Sequence, residues 1–167
     1  KRRTLKLEIC FDGLPFSGWQ AQPSQPNVRT VQGEIEHAVR QVTGESVTLL
    51  GCGRTDAGVS ALRQVASFRS DTPIPSDKLS DVPDSFHPIA DVVRKRYRYL
   101  LSDSRPLCPF LKDRVWFTRR KFDLLPMQEA ARVLLGTHDF ASFQTTGSPR
   151  ESTVRTVYAI DFTQYAV

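Results

Sequence analysis

Cysteine, methionine and long uninterrupted apolar stretches are all scarce in this chain. Its 167 residues include three cysteines and one methionine. Cys10, Cys52 and Cys108 are odd in number and show neither a Cys-x-x-Cys pair nor Cys/His ligand spacing, which argues against a disulfide scaffold or a structural metal. Two of them sit in apolar, strand-like runs and read as buried free thiols, as in a reducing cytosol. No apolar stretch approaches the roughly 20 residues needed to cross a bilayer, so no membrane association is expected. Lys1-Arg2-Arg3 resembles a signal-peptide start only until Lys6 and Glu8 interrupt the apolar positions that follow. Low-complexity tracts are missing too. With 40% hydrophobic and 25% charged residues, the composition is that of a soluble globular protein, expected in the cytoplasm. A chain of this length can bury roughly two-thirds of its unfolded surface, as one large domain or two smaller lobes.

What is present is unevenly distributed. Net charge is +5, yet the ten Lys/Arg between Arg94 and Lys121 are opposed only by Asp103 and Asp113. That local excess of +8 leaves −3 for the remainder. One basic face on a mildly acidic body suits a polyanion; the plainer alternative is a solvated strand face and loop. Tyr97 and Tyr99, set among Arg94, Lys95, Arg96 and Arg98, favour RNA, where rings stack on unpaired bases.

Periodicity organises the rest. Leu5, Leu7, Ile9 and Phe11 alternate with Lys6, Glu8 and Cys10, which predicts a strand with one buried face. Residues 12–29 hold three prolines and two glycines and read as a long loop. Thr30 is an expected N-cap for a helix with Val31, Ile35, Ala38, Val39 and Val42 on its inner side, ending near Gly44. Short strands are expected at 47–50 and 64–69, and a helix near Asp77 behind the prolines at 73 and 75. A second lobe starts near Val82. In it, 94–101 reads as a strand with Tyr97, Tyr99 and Leu101 on one face and Arg96, Arg98 and Leu100 on the other. A further strand is expected at 114–118. A helix capped by Asp123 follows, with inner positions Leu124, Met127, Ala131 and Val133 or Leu134 and an end at Gly136. A closing strand is expected at 154–162. This gives an α+β chain of two lobes, 1–81 and 82–167, each an antiparallel sheet backed by helices. His87 and His138 have no ligand spacing to a cysteine or second histidine, and His138-Asp139 reads as a turn.

The string Gly53-Arg54-Thr55-Asp56-Ala57-Gly58-Val59 carries the most chemistry. It places an acid near a cation between two glycines, at the junction of one apolar run and the next. Glycine permits positive φ and close backbone approach. A nearby guanidinium favours the ionised carboxylate, which keeps such an acid nucleophilic. Taken alone, the same spacing also fits an Asx-type turn beside a solvated arginine.

The surrounding strings occur in one order: Phe11-Asp12-Gly13, Gly18-Trp19-Gln20-x-Gln22, Thr30-Val31-Gln32, the Asp56 string, Arg96-Tyr97-Arg98-Tyr99, His138-Asp139-Phe140-x-Ser142-Phe143 and Arg155-Thr156-Val157. This series resembles the tRNA pseudouridine synthase A family from about Leu5 to about Phe162. The resemblance implies two ferredoxin-like (RRM-like) lobes with a basic cleft between them, no cofactor and no metal. It implies an isomerase that converts uridine to pseudouridine in the tRNA anticodon stem-loop, at positions thirty-eight to forty, and that works as a homodimer. It assigns Asp56 as the catalytic nucleophile or base, with Arg54 positioning the acid or the RNA, and Tyr97 as the ring against the target uracil. Arg96, Arg98, Arg119, Arg120 and Lys121 become candidate phosphate contacts. Three departures stand out. The family carries a further segment between the positions of Lys78 and Asp84, it continues past the position of Phe162 with another helix, strands and its other paired arginine, and Ile89 stands where members often have an arginine. A catalytically silent RNA-binding module of the same fold is the alternative from a different functional class. A glycoside hydrolase would need a second carboxylate about 5 Å from the first, and none pairs with Asp56 in the sequence.

Overall fold

The chain forms two compact units, Lys1–Arg98 and Tyr99–Val167, of α+β type with two helices and mainly antiparallel sheets. The computed structural model describes residues 2–25, 27–72, 79–105, 107–145 and 152–165.

In the first unit the alternating N-terminal run forms β1 (Arg3–Phe11) and buries Leu5 completely. β1 pairs antiparallel with β3 (Ala61–Ser70) on one side and β4 (Leu79–Val82) on the other. β2, only Leu50–Gly51, adds to the outer edge of β3, giving the order β2-β3-β1-β4. Helix α1 (Val31–Thr43) connects β1 to β2 with β3 lying between them, a split β-α-β arrangement. Thr30 caps α1 by accepting from Gly33 N–H, and Gly44 ends it in the left-handed conformation.

Leu5, Ala66 and Phe68 from the sheet, Val31 from α1, and Leu49 and Trp19 from the loops make the core. Leu7, Ile9, Phe11, Ile35 and Val39 pack against it. Trp19 lies directly on β2: a Cβ on Gly51 would come within 2.6 Å of its ring. Only glycine permits that contact.

Several expectations change here. None of the three cysteines is fully buried: Cys10 is exposed, and Cys52 and Cys108 are half-buried. Cys10 shares the outward parity of Glu8 on β1, so apolar neighbours in sequence do not bury it. On α1, Ala38 is exposed and Val42 is 78% exposed, because the apolar stripe outruns the surface that covers it. The strand expected at 47–50 is confined to its last residue. Leu49 N–H is taken instead by the Glu36 carboxylate at 2.8 Å. The helix expected near Asp77 lies outside the described residues, and the expected lobe boundary at 81/82 falls within β4.

The second unit has shorter elements. β5 (Leu101–Ser102) and β6 (Trp116–Phe117) pair in parallel. Helix α2 (Leu124–Val133) is capped by Asp123, whose carboxylate accepts from Leu125 N–H. α2 turns Leu124, Met127 and Ala131 inward, while Val133 and Leu134 are exposed. β7 (Gly136–Asp139) pairs antiparallel with β8 (Val154–Val157), so His138-Asp139 is strand rather than turn, and β8 ends five residues before Phe162. Of the strand expected at 94–101, only Leu101 is in a ladder. Alternating Tyr and Arg supplies the period of a strand, but a ladder also requires a neighbouring backbone. Tyr97 and Tyr99 are 74% and 82% exposed, and Arg96 and Arg98 are exposed as well.

Leu5→Ala should cost about 2–5 kcal/mol through the cavity it leaves beneath Phe68 and Trp19, read as a lower denaturation midpoint. A cost under 1 kcal/mol would mean that this cluster is not the core of the unit.

Candidate active site

The Asp56 string is the loop, residues 52–60, joining β2 to β3. Its backbone is tied along its length. At the entry, Cys52 N–H donates to Val65 O at 2.8 Å, and the next carbonyl, Gly53 O, accepts from the buried Gln64 amide. In the middle, Trp19 N–H donates to Thr55 O at 2.9 Å and Gly58 N–H to Phe16 O at 3.3 Å. A turn closes around the acid, with Val59 N–H donating to Asp56 O at 3.2 Å and Gly58 at φ 78°.

At the exit, the Phe11-Asp12-Gly13 string acts as a clasp. Ser60 Oγ accepts from Gly13 N–H at 2.9 Å and donates to Asp12 Oδ1 at 3.2 Å. The same carboxylate oxygen accepts from Leu14 N–H at 3.2 Å. Gly13 approaches Val59 so closely that a Cβ would stand 2.1 Å from Val59 O. Immediately beyond, the β1–β3 register shifts between Ile9 and Phe11, an irregularity in the ladder beside the loop exit.

The Trp19 loop is equally constrained. Its carbonyl accepts from Gln32 N–H at 3.0 Å, and Gly18 O accepts from Val31 N–H at 3.1 Å, so both of these donors at the start of α1 are satisfied by loop carbonyls. Gln32, 5% exposed, accepts from Ala21 N–H at 3.1 Å and donates to Glu36 at 2.8 Å. The core thus runs from α1 through the Trp19 loop to the backbone on either side of Asp56.

Asp56 and Arg54 themselves are exposed, and among the described residues no ion pair joins them. Thr55 differs: its hydroxyl is buried with no hydrogen-bond partner among the described residues, a cost of about 1–3 kcal/mol that the surrounding ties offset. The result is an exposed carboxylate on a backbone held at entry, middle and exit. Lys95, Arg96, Tyr97 and Arg98 follow one another at the end of the same unit. Arg119, Arg120 and Lys121 belong to the second unit, and the three are exposed there.

The histidines have local duties. His87 Nδ1 accepts from Ala90 N–H at 3.1 Å, and His138 Nε2 lies 2.7 Å from Leu135 O. The pKa of Asp139 is lowered from the ordinary aspartate value, first because Thr153 donates to it and then because Ala141 N–H does. Ser60 and Gln64 were not singled out as site residues by their sequence pattern. A serine directly after the acid loop was the one cue, whereas the amide of Gln64 reads as an ordinary strand position.

A family model described as tRNA pseudouridine synthase matches residues 130–167. The tRNA pseudouridine synthase A of Thermoanaerobacter sp. (strain X514) is 38% identical, the match covering 93% of this chain and 70% of that protein. The protein of the same name from Acetivibrio thermocellus is 40% identical over 93% of this chain and 69% of its own length. That from Brachyspira hyodysenteriae is also 40% identical, over 90% and 67%. These matches define a tRNA-modifying isomerase. The chain belongs to the tRNA pseudouridine synthase A family. The alignment with the Thermoanaerobacter protein spans 173 positions, more than the 167 residues present, so that relative carries residues with no counterpart here. Among the described residues no helix is long and apolar enough to cross a membrane.

Gly13→Ala should displace Val59 and the loop exit, because the clash is with backbone rather than with a flexible side-chain end. The expected outcome is loss of isomerase activity together with a lower melting temperature. Wild-type activity and melting in Gly13→Ala would refute the clasp. Asp139, with its lowered pKa, should stabilise the β7–β8 pairing above the ordinary aspartate range and lose that contribution as pH falls through its folded value. Thr153→Val should weaken this acid dependence in a pH-melting series, the Ala141 N–H contribution remaining; an unchanged acid limb would contradict the assignment.

Proposed function

We propose that this chain converts uridine to pseudouridine in the anticodon stem-loop of tRNA, at positions thirty-eight to forty, with Asp56 as the catalytic carboxylate. The observation that carries the reading is an exposed acid on a loop whose backbone is fixed at entry, middle and exit. Pseudouridine formation breaks the N1–C1′ bond, turns the freed uracil, and forms a C5–C1′ bond; the C5 proton is lost and N1 gains one. Atoms balance without oxidant, cofactor or metal. What the reaction needs is a carboxylate beside the sugar, either adding to the nucleotide or taking a proton from it. A fixed backbone supplies orientation, one of the contributions by which such a site lowers the barrier.

Tyr97 is assigned to stack on the target base, a role its 74% exposure supports. Arg54 is assigned to position the RNA beside the acid. Arg96 and Arg98 are assigned to phosphate, helping to offset the few kcal/mol spent in extruding the nucleotide. The β2-β3-β1-β4 order with its split β-α-β connection supports reading the first unit as a ferredoxin-like half. A second such half, a basic cleft, a homodimer and a cytoplasmic location complete the proposal, on the strength of the family.

Asp56→Asn and Asp56→Ala should abolish tritium release from tRNA labelled at uridine C5 while leaving tRNA binding within a few-fold of wild type. Normal turnover in either would end the proposal. Affinity for tRNA should fall steeply between about 50 and 200 mM salt as phosphate contacts are screened; a flat response would remove the basic segment from the account.

A further inference from the structure

We propose that Lys95 is a positioning residue for the Asp56 loop, distinct from the phosphate contacts among which it stands in sequence. The inference rests on the reading of Asp56 as the catalytic group. Lys95 Nζ donates to Cys52 O at 3.0 Å, and a Cβ on Gly53 would lie 3.3 Å from that ammonium. A side chain at Gly53 would crowd the ammonium by a few tenths of an ångström. Cys52 N–H is already committed to Val65 O, so with the lysine both backbone polar groups of Cys52 are held. Gly53 O is held by Gln64. Two successive carbonyls are therefore fixed by side chains immediately ahead of Arg54, Thr55 and Asp56.

The position of Lys95 in the chain gives that contact its meaning. It precedes Arg96 and Tyr97, the residues assigned to the RNA, and it reaches back 43 positions to the loop that bears the acid. An ammonium is a compact point charge with three donors, suited to a single carbonyl. Seating of RNA on Arg96 to Arg98 and placement of the carboxylate are thereby joined through one side chain. A lysine committed to phosphate would give affinity; one committed to Cys52 O gives alignment and leaves affinity alone.

The test uses the full chain and C5-tritiated tRNA, comparing wild type with Lys95→Met, Lys95→Arg, Gly53→Ala and the Lys95→Met/Gly53→Ala pair. Lys95→Met should lower kcat about 10- to 100-fold, the scale of a small misplacement at a reacting centre. The Kd for tRNA and its salt slope should be unchanged. Lys95→Arg, which keeps the donors, should recover a large part of kcat. Gly53→Ala should lower kcat only slightly in wild type, and no further in the Lys95→Met background. Unchanged kcat in Lys95→Met would overturn the proposal. So would a weaker Kd with a salt slope reduced by about 0.9, the signature of one lost phosphate contact. If Lys95→Met loses its native melting transition, Lys95→Gln and Lys95→Arg decide in the same way: a kcat unchanged in Lys95→Gln, or not higher in Lys95→Arg than in Lys95→Gln, overturns the proposal. Asp56→Asn is measured in parallel. Activity there sinks the underlying reading whatever Lys95 does, whereas an inactive Asp56→Asn beside a fully active Lys95→Met sinks the Lys95 proposal alone.

Discussion

The backbone hydrogen bond from Trp19 to Thr55 is the constraint on which the site depends. Trp19 is 2% exposed and seated on the bare Cα of Gly51, so it cannot move without opening the core. Its N–H holds Thr55 O and its C=O holds the first turn of α1. The carbonyl next to Asp56 is therefore referenced to a residue of the buried core. An exposed carboxylate on an unsupported glycine loop would sample many orientations. Here its freedom is confined to the side chain, and the conformational entropy of the loop has been lost on folding rather than at the moment of reaction.

The remaining ties follow the same logic from other directions. Asp12 and Ser60 close the exit, Gln64 and Lys95 close the entry, and Phe16 O holds Gly58. Most are hydrogen bonds to main-chain groups, so they fix where the backbone runs and leave Arg54 and Asp56 facing outward. This explains the glycine positions without invoking flexibility. Gly13 and Gly51 are sites of close approach, and Gly58 takes the positive φ that the turn after the acid requires.

Much of this was legible in the sequence where a local signal and its structural consequence coincide. The period-2 run of β1, the Thr30 and Asp123 caps and the strand-to-loop position of Asp56 depend on chemistry within a few residues. The Phe11-Asp12-Gly13 and Gly18-Trp19 strings marked the family, but their physical task, clamping a loop some 40 residues away, was not readable from spacing. Strand expectations failed where a partner was needed. Residues 94–101 have the alternation of a strand and almost none of the ladder. Leu49 satisfies its N–H through a glutamate on α1, which no pattern of apolar residues announces. Burial of Cys10 was inferred from apolar neighbours, while side-chain parity on the strand decides it.

The central claim is geometric: the carboxylate of Asp56 is delivered to the glycosidic carbon of an extruded uridine by a backbone that is already in place. A crystal structure of the chain with an anticodon stem-loop carrying an unreactive uridine analogue measures this most directly. The account predicts an Asp56 oxygen about 3–3.5 Å from C1′ or from the carbon bearing the proton it removes, with the Trp19–Thr55 hydrogen bond unchanged. A base lodged away from Asp56, with another carboxylate at that distance, would contradict it.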